Sequence, residues 1–263
     1  FDTDEALATK GIDGTILGQE LLRIGYAGEM EPGAILPSAF IEAHIEQGPV
    51  LEAENKLMGA VANLQGISWQ KVTIRGVANH AGTTPTHLRT DAGLAAAKVI
   101  TFLREMVSNS DSVATVGSIK FGPDAINVIP DFSEFTVDMR DPDEVTLQSR
   151  EAALVTFLKK LEKSDGVTIK TERLARFEPV VFDESIVQMI EDGAAERQLS
   201  CRRMTSGAGH DAQMMSRICP TAMIFVPSRD GISHNPLEHT EDESLIAGAQ
   251  VLFDTACRIV IAP

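Results

Sequence analysis

The chain has 263 residues, which predicts roughly two domains, and its 43% hydrophobic and 23% charged residues are ordinary for a folded globular protein. Its net charge of -15 and pI near 4.8 argue against nucleic acid and anionic membrane surfaces as partners. No apolar run approaches the ~20 residues of a membrane span, and no signal peptide is visible.

The cysteines and the first residue predict the cellular compartment and whether this chain is part of a longer protein. Cys201, Cys219 and Cys257 are odd in number and widely spaced, which favours reduced thiols in a cytoplasmic protein. The chain begins at Phe1 and runs directly into a polar helical segment without a Met. This start predicts a piece taken from the middle of a longer protein.

Residues 1–62 open with helices broken by turns, over residues 5–10 and 17–24. Residues 39–46 alternate apolar and polar side chains, which predicts a strand with His44 near its end. A short helix is expected at residues 50–54.

Residues 63–176 have a different pattern. Strict alternation over residues 67–77 predicts a strand, and apolar spacing over residues 91–106 predicts an amphipathic helix. The predicted elements that follow are strands 113–121, 125–129 and 134–140, helix 145–161 and strand 167–173. The order β-α-β-β-α-β predicts a compact ferredoxin-like domain.

Residues 177–263 return to alternating helices and strands, with helices at 184–197, 212–218 and 243–260 and a buried strand at 221–226. Residues 1–62 and 177–263 are therefore predicted to form one discontinuous α/β domain, interrupted by residues 63–176.

Two histidines stand in short polar segments punctuated by glycine and proline. His44 opens His-Ile-Glu-Gln-Gly-Pro-Val-Leu-Glu, and His234 lies in Ser-His-Asn-Pro-Leu-Glu. Imidazole is a ligand for Zn, Mn, Co and Ni, often together with carboxylates, so both are candidate metal ligands. A solvated loop histidine is the alternative at each position.

The interrupting segment carries further polar candidates. His80 lies in a loop of small residues, where its imidazole can donate a hydrogen bond to a polarised carbonyl, or simply complete a polar turn. Asn127 can hydrogen-bond a substrate amide. Arg140 can form a two-pronged pair with a carboxylate, and the alternative is an ion pair with Asp138 or Asp141.

A glycine-rich turn, Ser-Gly-Ala-Gly-His-Asp-Ala, opens a helix after residue 206 and contains Gly209 and His210. Backbone N–H groups at such a turn suit a carboxylate or another anion. The spacing does not match a P-loop and no lysine follows, which argues against phosphate binding.

Taken together, these strings resemble the hydantoinase/carbamoylase amidases, which are dinuclear metal hydrolases, over essentially the whole chain and in the same order. The resemblance implies two divalent ions (Zn, Mn, Co or Ni), with His44 and His234 as ligands, one on each ion. It implies that Gln47, His80, Asn127, Arg140, Gly209 and His210 bind an amino-acid-like substrate, that Arg140 takes its carboxylate, and that His80 stabilises the oxyanion. It also implies a homodimer formed through the interrupting lid domain.

The chain departs from the family pattern in one respect. Family members carry an upstream His-x-Asp segment, a bridging Asp and a Glu-Glu pair that gives the general base and a further ligand, and none of these occurs here. The expected parent function is metal-dependent hydrolysis of a linear C–N bond in an N-carbamoyl or related ureido acid, and this chain alone is expected to be inactive. The alternatives are a non-catalytic lid and dimerisation module, or an aminoacylase or dipeptidase of the same clan.

Overall fold

The computed structural model describes residues 2–11 and 13–261, so residues 1, 12 and 262–263 of the predicted discontinuous domain lie outside the described residues. Contacts divide the chain into residues 1–39 and residues 40–263. In the first unit, α1 (Thr3–Leu7) begins after Asp2, whose carboxylate accepts the backbone N–H groups of Asp4 and Glu5. Helix α2 (Leu17–Arg23) follows, and neither helix contains a buried residue.

Residues 40–263 contain two sheets. The strands in chain order are β1 Phe40–Ile45, β2 Met58–Leu64, β3 Gly66–Arg75, β4 Val113–Thr115, β5 Ile119–Gly122, β6 Phe132–Asp141, β7 Thr168–Phe177, β8 Val180–Val181, β9 Cys201–Ser206 and β10 Thr221–Val226. The helices are α3 Val50–Ala53, α4 Ala92–Val107, α5 Glu144–Asp165, α6 Glu184–Glu196, α7 Asp211–Met215 and α8 Asp242–Ile261.

The first sheet has the order β1-β10-β2-β8, and β9 also pairs with β2. Strand β1 runs parallel to β10 and places His44 opposite Phe225. All six residues of β10 are buried, as expected for a strand whose two faces are both covered. Helices α6 and α8 pack against this sheet, and Ile190 and Val251 are buried in that layer.

The second sheet is antiparallel, with the order β4-β6-β3-β7, and β5 pairs with β6. Burial alternates strictly along β6, because successive side chains of a strand point to opposite faces. Val72, Phe135 and Val137 form a core under α4 and α5 together with Leu103 and Leu154.

The two sheets are joined where the chain crosses between them twice, at Gln65 and at residues 178–179. The crossings are in close contact, because a Cβ atom at Gly66 would lie 2.6 Å from Cδ of Pro179 and 2.8 Å from Cδ2 of Leu147. Only a residue without a side chain fits between these atoms. Glycine at position 66 therefore lets the two crossings lie side by side.

Two predicted elements of the second sheet differ from the structure. The strand expected at 113–121 is divided into β4 and β5, and the strand expected at 125–129 is a turn with a single bridge between His80 and Val128. Asp124 has a positive φ of 60°, Val128 donates its N–H to the carbonyl of Ala125, and prolines stand at both ends of this segment, so it cannot extend as a strand. The strands β2, β8 and β9 were not predicted.

Helix α8 corrects the prediction that no apolar run approaches the length of a membrane span. Among the described residues it is the one helix long and apolar enough by length and composition. It nevertheless packs on β10, β1 and α6, with Ala247 and Val251 buried. This placement is that of a helix covering a sheet, and such helices pass the same test.

Candidate functional site

A cavity of about 1090 Å³ lies between the two sheets. Its wall contains six of the eight residues singled out in the sequence: His44, Gln47, Arg140, Gly209, His210 and His234. They come from the end of β1, from β6, from the loop after β9 and from the loop that precedes α8. Residues far apart in sequence therefore meet in one concave space, which is the usual form of a small-molecule site.

Gln47 and His234 meet directly at one side of the cavity. Nε2 of Gln47 lies 3.0 Å from Nε2 of His234, and the same amide donates to Oγ of Ser233 at 2.9 Å. Both residues have positive φ, 58° for Gln47 and 56° for His234. Non-glycine residues rarely adopt this conformation, so the backbone is strained at both residues, as is common at binding sites.

Gly231 makes this meeting possible. It has a φ of +65°, and a Cβ atom there would lie 2.8 Å from the backbone nitrogen of Pro49. The loop before His234 can therefore approach the turn after Gln47 only if residue 231 has no side chain. This close approach brings the two predicted loops to the same wall.

The carboxylates near His44 are already engaged. Glu46 is buried, and its two oxygens accept the backbone N–H groups of Val50 and Leu51 at 2.8 Å each, which caps α3. Glu42 accepts the N–H of Ala212 at 2.8 Å, and its other oxygen lies 3.9 Å from Nδ1 of His210. The first carboxylate organises the helix after His44, and the second ties β1 to α7.

The rings of His44 and His210 lie with their centroids 4.5 Å apart. Burial, followed by the neighbouring charge of His44, lowers the pKa of His210 from its ordinary value of 6.5 to about 4, so this ring is neutral at pH 7. Nδ1 of His44 lies 2.8 Å from the carbonyl oxygen of Ile45. Since a carbonyl only accepts, Nδ1 of His44 carries the proton and its Nε2 keeps a lone pair suited to a metal.

The described residues do not make a complete metal site. No group of three or more His, Cys, Asp or Glu side chains among them is placed to hold an ion. A catalytic zinc ordinarily has three protein ligands, whereas His44 and His234 are two and Glu46 is committed to α3. The donor set of this part of the chain therefore does not fit a dinuclear centre by itself.

Arg140 makes the ion pair that the sequence left open as its alternative role. Its Nε and Nη2 donate to the carboxylate of Asp138 at 3.0 and 2.7 Å, and its Nη1 donates to the carbonyl of Gly207 at 2.6 Å. A guanidinium has five N–H donors. Within the described residues, two N–H groups of Arg140 are left for a ligand.

His80 and Asn127 lie together but outside the cavity wall. His80 is bridged to Val128, the N–H of Ala81 donates to the carbonyl of Asn127 at 2.9 Å, and both predicted residues are exposed. Nδ1 of His80 accepts the N–H groups of Gly82 and Thr83 at 3.0 and 3.2 Å. The turn therefore fixes the tautomer with the proton on Nε2, which is left as a donor.

The wall also contains residues that the sequence analysis did not single out as site residues. Ile67 and Trp69 project from β3 toward the cavity, beside Val113 and Phe177, so the wall next to Arg140 is apolar. The alternation over residues 67–77 was a usable signal for this face, because residues two apart share one side of a strand. Gln213 carries no comparable signal, since it lies within a helix of five residues.

Comparison with known proteins identifies the family. Residues 10–258 match the model of peptidase family M20/M25/M40. The chain is 40% identical to an N-carbamoyl-L-amino-acid amidohydrolase of Rhizobium meliloti over 94% of this chain and 60% of that protein. It is 37% identical to an allantoate amidohydrolase of Bacillus subtilis over 82% of this chain and 53% of that protein.

Solved structures give the same result. A hydantoinase/carbamoylase family amidase from Burkholderia multivorans superposes with a TM-score of 0.96 at 39% identity, covering 100% of this chain and 64% of that one. The chain thus spans between about half and two thirds of the length of the relatives it matches. The family model covers nearly all of it, and the chain belongs to peptidase family M20/M25/M40.

Proposed function

We propose that this chain forms the substrate-binding part of a metal-dependent amidohydrolase that cleaves a linear C–N bond in an N-carbamoyl amino acid or a related ureido acid. The observation that carries the proposal is the cavity wall, where Arg140, His210 and the Gln47–His234 pair converge. The relatives named as N-carbamoyl-L-amino-acid and allantoate amidohydrolases support the same substrate class.

Arg140 is proposed to bind the substrate carboxylate. Asp138 holds the guanidinium in place through two nitrogens, and two further N–H groups stay available. A carboxylate bound there makes charge-assisted hydrogen bonds, which are stronger than neutral ones. The price is competition with Asp138 for the same positive charge.

His210 is proposed to face the scissile group as a neutral ring. Its pKa is lowered to about 4 by burial, so it does not repel a metal-bound or positively charged neighbour at pH 7. Glu42 lies 3.9 Å from its Nδ1 and accepts the N–H of Ala212, which positions the start of α7. Gly209, just before it, leaves the backbone open to the ligand.

Two divalent ions, Zn, Mn, Co or Ni, remain part of the proposal for the hydrolase as a whole, with His44 and His234 as ligands. When bound, such ions would activate water for attack on the ureido carbon. The described residues supply no complete site for them.

His80 and Asn127 are proposed to act from residues 63–176, regarded as a ferredoxin-like lid. Nε2–H of His80 is free to donate to a developing oxyanion, because the turn N–H groups occupy Nδ1. Since neither residue lines the cavity of its own chain, a homodimer that brings them to a second copy's cavity is the arrangement we favour. A cytoplasmic location is proposed from the three free cysteines.

Calorimetric titration of the purified chain tests the proposal. An N-carbamoyl L-amino acid should bind, and its carboxamide derivative should bind about tenfold more weakly, because the amide cannot use the charge of Arg140. Failure of the acid to bind at millimolar concentration would overturn the proposal.

Ammonia release is the companion measurement. With added Mn²⁺ or Zn²⁺ the chain alone should show no turnover of an N-carbamoyl amino acid, because its donor set is incomplete. Turnover abolished by EDTA would show that the metal site forms from these residues after all.

A further inference from the structure

A buried carboxamide in the cavity wall has no assigned role. Gln213 belongs to α7, is 6% exposed, and lines the cavity beside Gly209 and His210. Its Nε2 is buried and has no hydrogen-bond partner among the residues that the structure describes. Buried amides are almost always paired, because an unpaired one loses its water without compensation.

The surroundings of Gln213 keep its amide beside the cavity. A Cβ atom at Gly209 would lie 3.3 Å from Oε1 of Gln213, so a side chain at position 209 would crowd the carboxamide. Oε1 of Gln213 therefore lies next to the backbone of the glycine-rich turn that precedes α7.

We propose that Gln213 determines specificity by recognising the ureido group of the substrate. A primary carboxamide presents one acceptor and two donors, and a half-turn about its last torsion exchanges its two ends. A ureido group likewise carries a carbonyl acceptor and an NH₂ donor. The two can form a pair of complementary hydrogen bonds, whereas an N-acyl group has a methyl or alkyl group where the NH₂ would be.

The position of Gln213 relative to Arg140 suits this class of ligand. Arg140 donates to the carbonyl of Gly207, and the carboxamide of Gln213 lies beside Gly209, so both anchors stand next to the same short turn, two residues apart along the chain. Two residues of extended backbone span at most about 7 Å. In an N-carbamoyl α-amino acid the carboxylate and the ureido carbon are separated only by the α-carbon and one nitrogen, so the two groups fall within the reach of both anchors.

The inference rests on the proposed binding of a ureido acid. A pair of ligands distinguishes failure of the Gln213 assignment from failure of the proposed function. The dissociation constants of an N-carbamoyl amino acid and of the N-acetyl derivative of the same amino acid are measured by calorimetry on the full chain and on Gln213→Met. Methionine keeps the length of the side chain and removes its polar end. Gln188→Met, on the exposed face of α6, is the matched control and should change neither constant.

We expect Gln213→Met to weaken binding of the carbamoyl ligand by about five- to tenfold and to leave the acetyl ligand within about twofold. The melting temperature should rise by about 2–4 °C or stay unchanged, because an unpaired buried amide has been removed. Equal losses for both ligands with a lower melting temperature would overturn the inference, since Gln213 would then only support the fold.

Gln213→Glu gives a second, shape-conserving variant in case the methionine variant does not fold. It keeps an acceptor, loses the donors and adds a charge, so it should also weaken the carbamoyl ligand more than the acetyl ligand. If the unmodified chain prefers the acetyl ligand, the assignment of Gln213 is wrong while substrate binding stands. If the chain binds neither ligand, the proposed function itself fails and the inference fails with it.

Discussion

Gln47 and His234 are 187 residues apart in sequence, yet their Nε2 atoms lie 3.0 Å apart and both residues have a left-handed backbone. The backbone conformation of each residue is unfavourable by itself. It is stabilised by the contact between the two side chains and by the hydrogen bond to Ser233. Strain of this kind persists only where the surroundings determine the conformation. The pair is the point at which the turn after β1 and the loop carrying His234 meet.

Gln47→Gly should relieve the backbone strain and lose the side-chain contact. Glycine adopts positive φ without steric cost, but the hydrogen bonds to Ser233 and His234 disappear, at about 0.5–1.5 kcal/mol each. Gln198→Gly is a matched control, because Gln198 has the same φ of 58° at the end of α6 and lies outside the cavity wall. Urea unfolding should show Gln47→Gly to be the less stable of the two by about 1 kcal/mol or more. Equal stabilities would mean that the Gln47–His234 contact contributes nothing.

Gly231→Ala should be strongly destabilising. The new methyl group would meet the backbone of Gly48 and Pro49 at 2.8–2.9 Å, and alanine would be strained at the φ of +65°. Gly166→Ala separates these effects, since Gly166 has a φ of +71° with its nearest neighbour atom at 3.7 Å. We expect a loss of about 1 kcal/mol for Gly166→Ala and about 2–4 kcal/mol for Gly231→Ala, measured by thermal or urea unfolding. Similar losses at both positions would remove the close approach as the reason for glycine at 231.

Arg140→Lys should weaken binding of an N-carbamoyl amino acid by about ten- to a hundredfold, because lysine keeps the charge but loses the planar fork. The loss should nearly vanish for the corresponding carboxamide, which never used the charge. Arg150→Lys is the control: Arg150 donates to Ser112 and lies outside the cavity wall. Equal losses for acid and carboxamide would show that Arg140 supports the fold through Asp138 instead.

The low pKa of His210 predicts a pH dependence of stability. The unfolded chain takes up a proton on this residue near its ordinary pKa of 6.5, whereas the folded chain does so only near 4, because the ring is buried beside His44. The unfolded state therefore binds more protons in this window, so the contribution is fully present above about pH 6.5 and is lost as the pH falls toward 4. Urea unfolding at pH 7.5 and pH 5 should show a larger decrease for the parent chain than for His210→Gln. An identical decrease would contradict the buried neutral ring.

Amide hydrogen exchange should be faster in the first unit than in the second sheet. Helices α1 and α2 contain no buried residue, whereas the strands β3 and β6 surround a core of Val72, Phe135 and Val137. Amides of β3 and β6 should exchange slowly and those of residues 2–39 quickly, as measured by mass spectrometry. Comparable protection in both regions would show that the first unit is held as firmly as the second sheet.

Periodicity predicted the long elements of this fold, and α4, β3 and β6 each have one consistently buried face. The helix α4 and the strands β1, β3 and β6 were all found within a few residues of their true bounds. The strand β9 escaped notice, since Arg202 and Arg203 interrupt its apolar pattern while its backbone completes the sheet with β2. Its register depends on a partner more than 140 residues away, and no local window of sequence contains that information.

The candidate site could likewise be predicted only in part from the sequence. His44, Gln47 and His234 stood out because their segments are polar and punctuated by glycine and proline, and they do meet. The roles of Glu46 and Gln213 could not be read in this way. Whether a carboxylate caps a helix or faces a ligand depends on where neighbouring N–H groups point, and this is decided only after the chain has folded.

The hydrogen bond from Arg140 to the carbonyl of Gly207 has a mechanical consequence. It connects the second sheet to the loop after β9 close to the crossing at Gly66, because Arg140 is paired with Ile67 in the sheet. This bond is a third link between the two sheets, beside the two chain crossings. We expect it to restrict the angle between the sheets, and a ligand carboxylate that draws the guanidinium away from Gly207 would weaken this restriction. Spin labels on α5 and α6 should report a broader distance distribution in Arg140→Lys, and an unchanged distribution would show that the crossings fix this angle without the bond to Gly207.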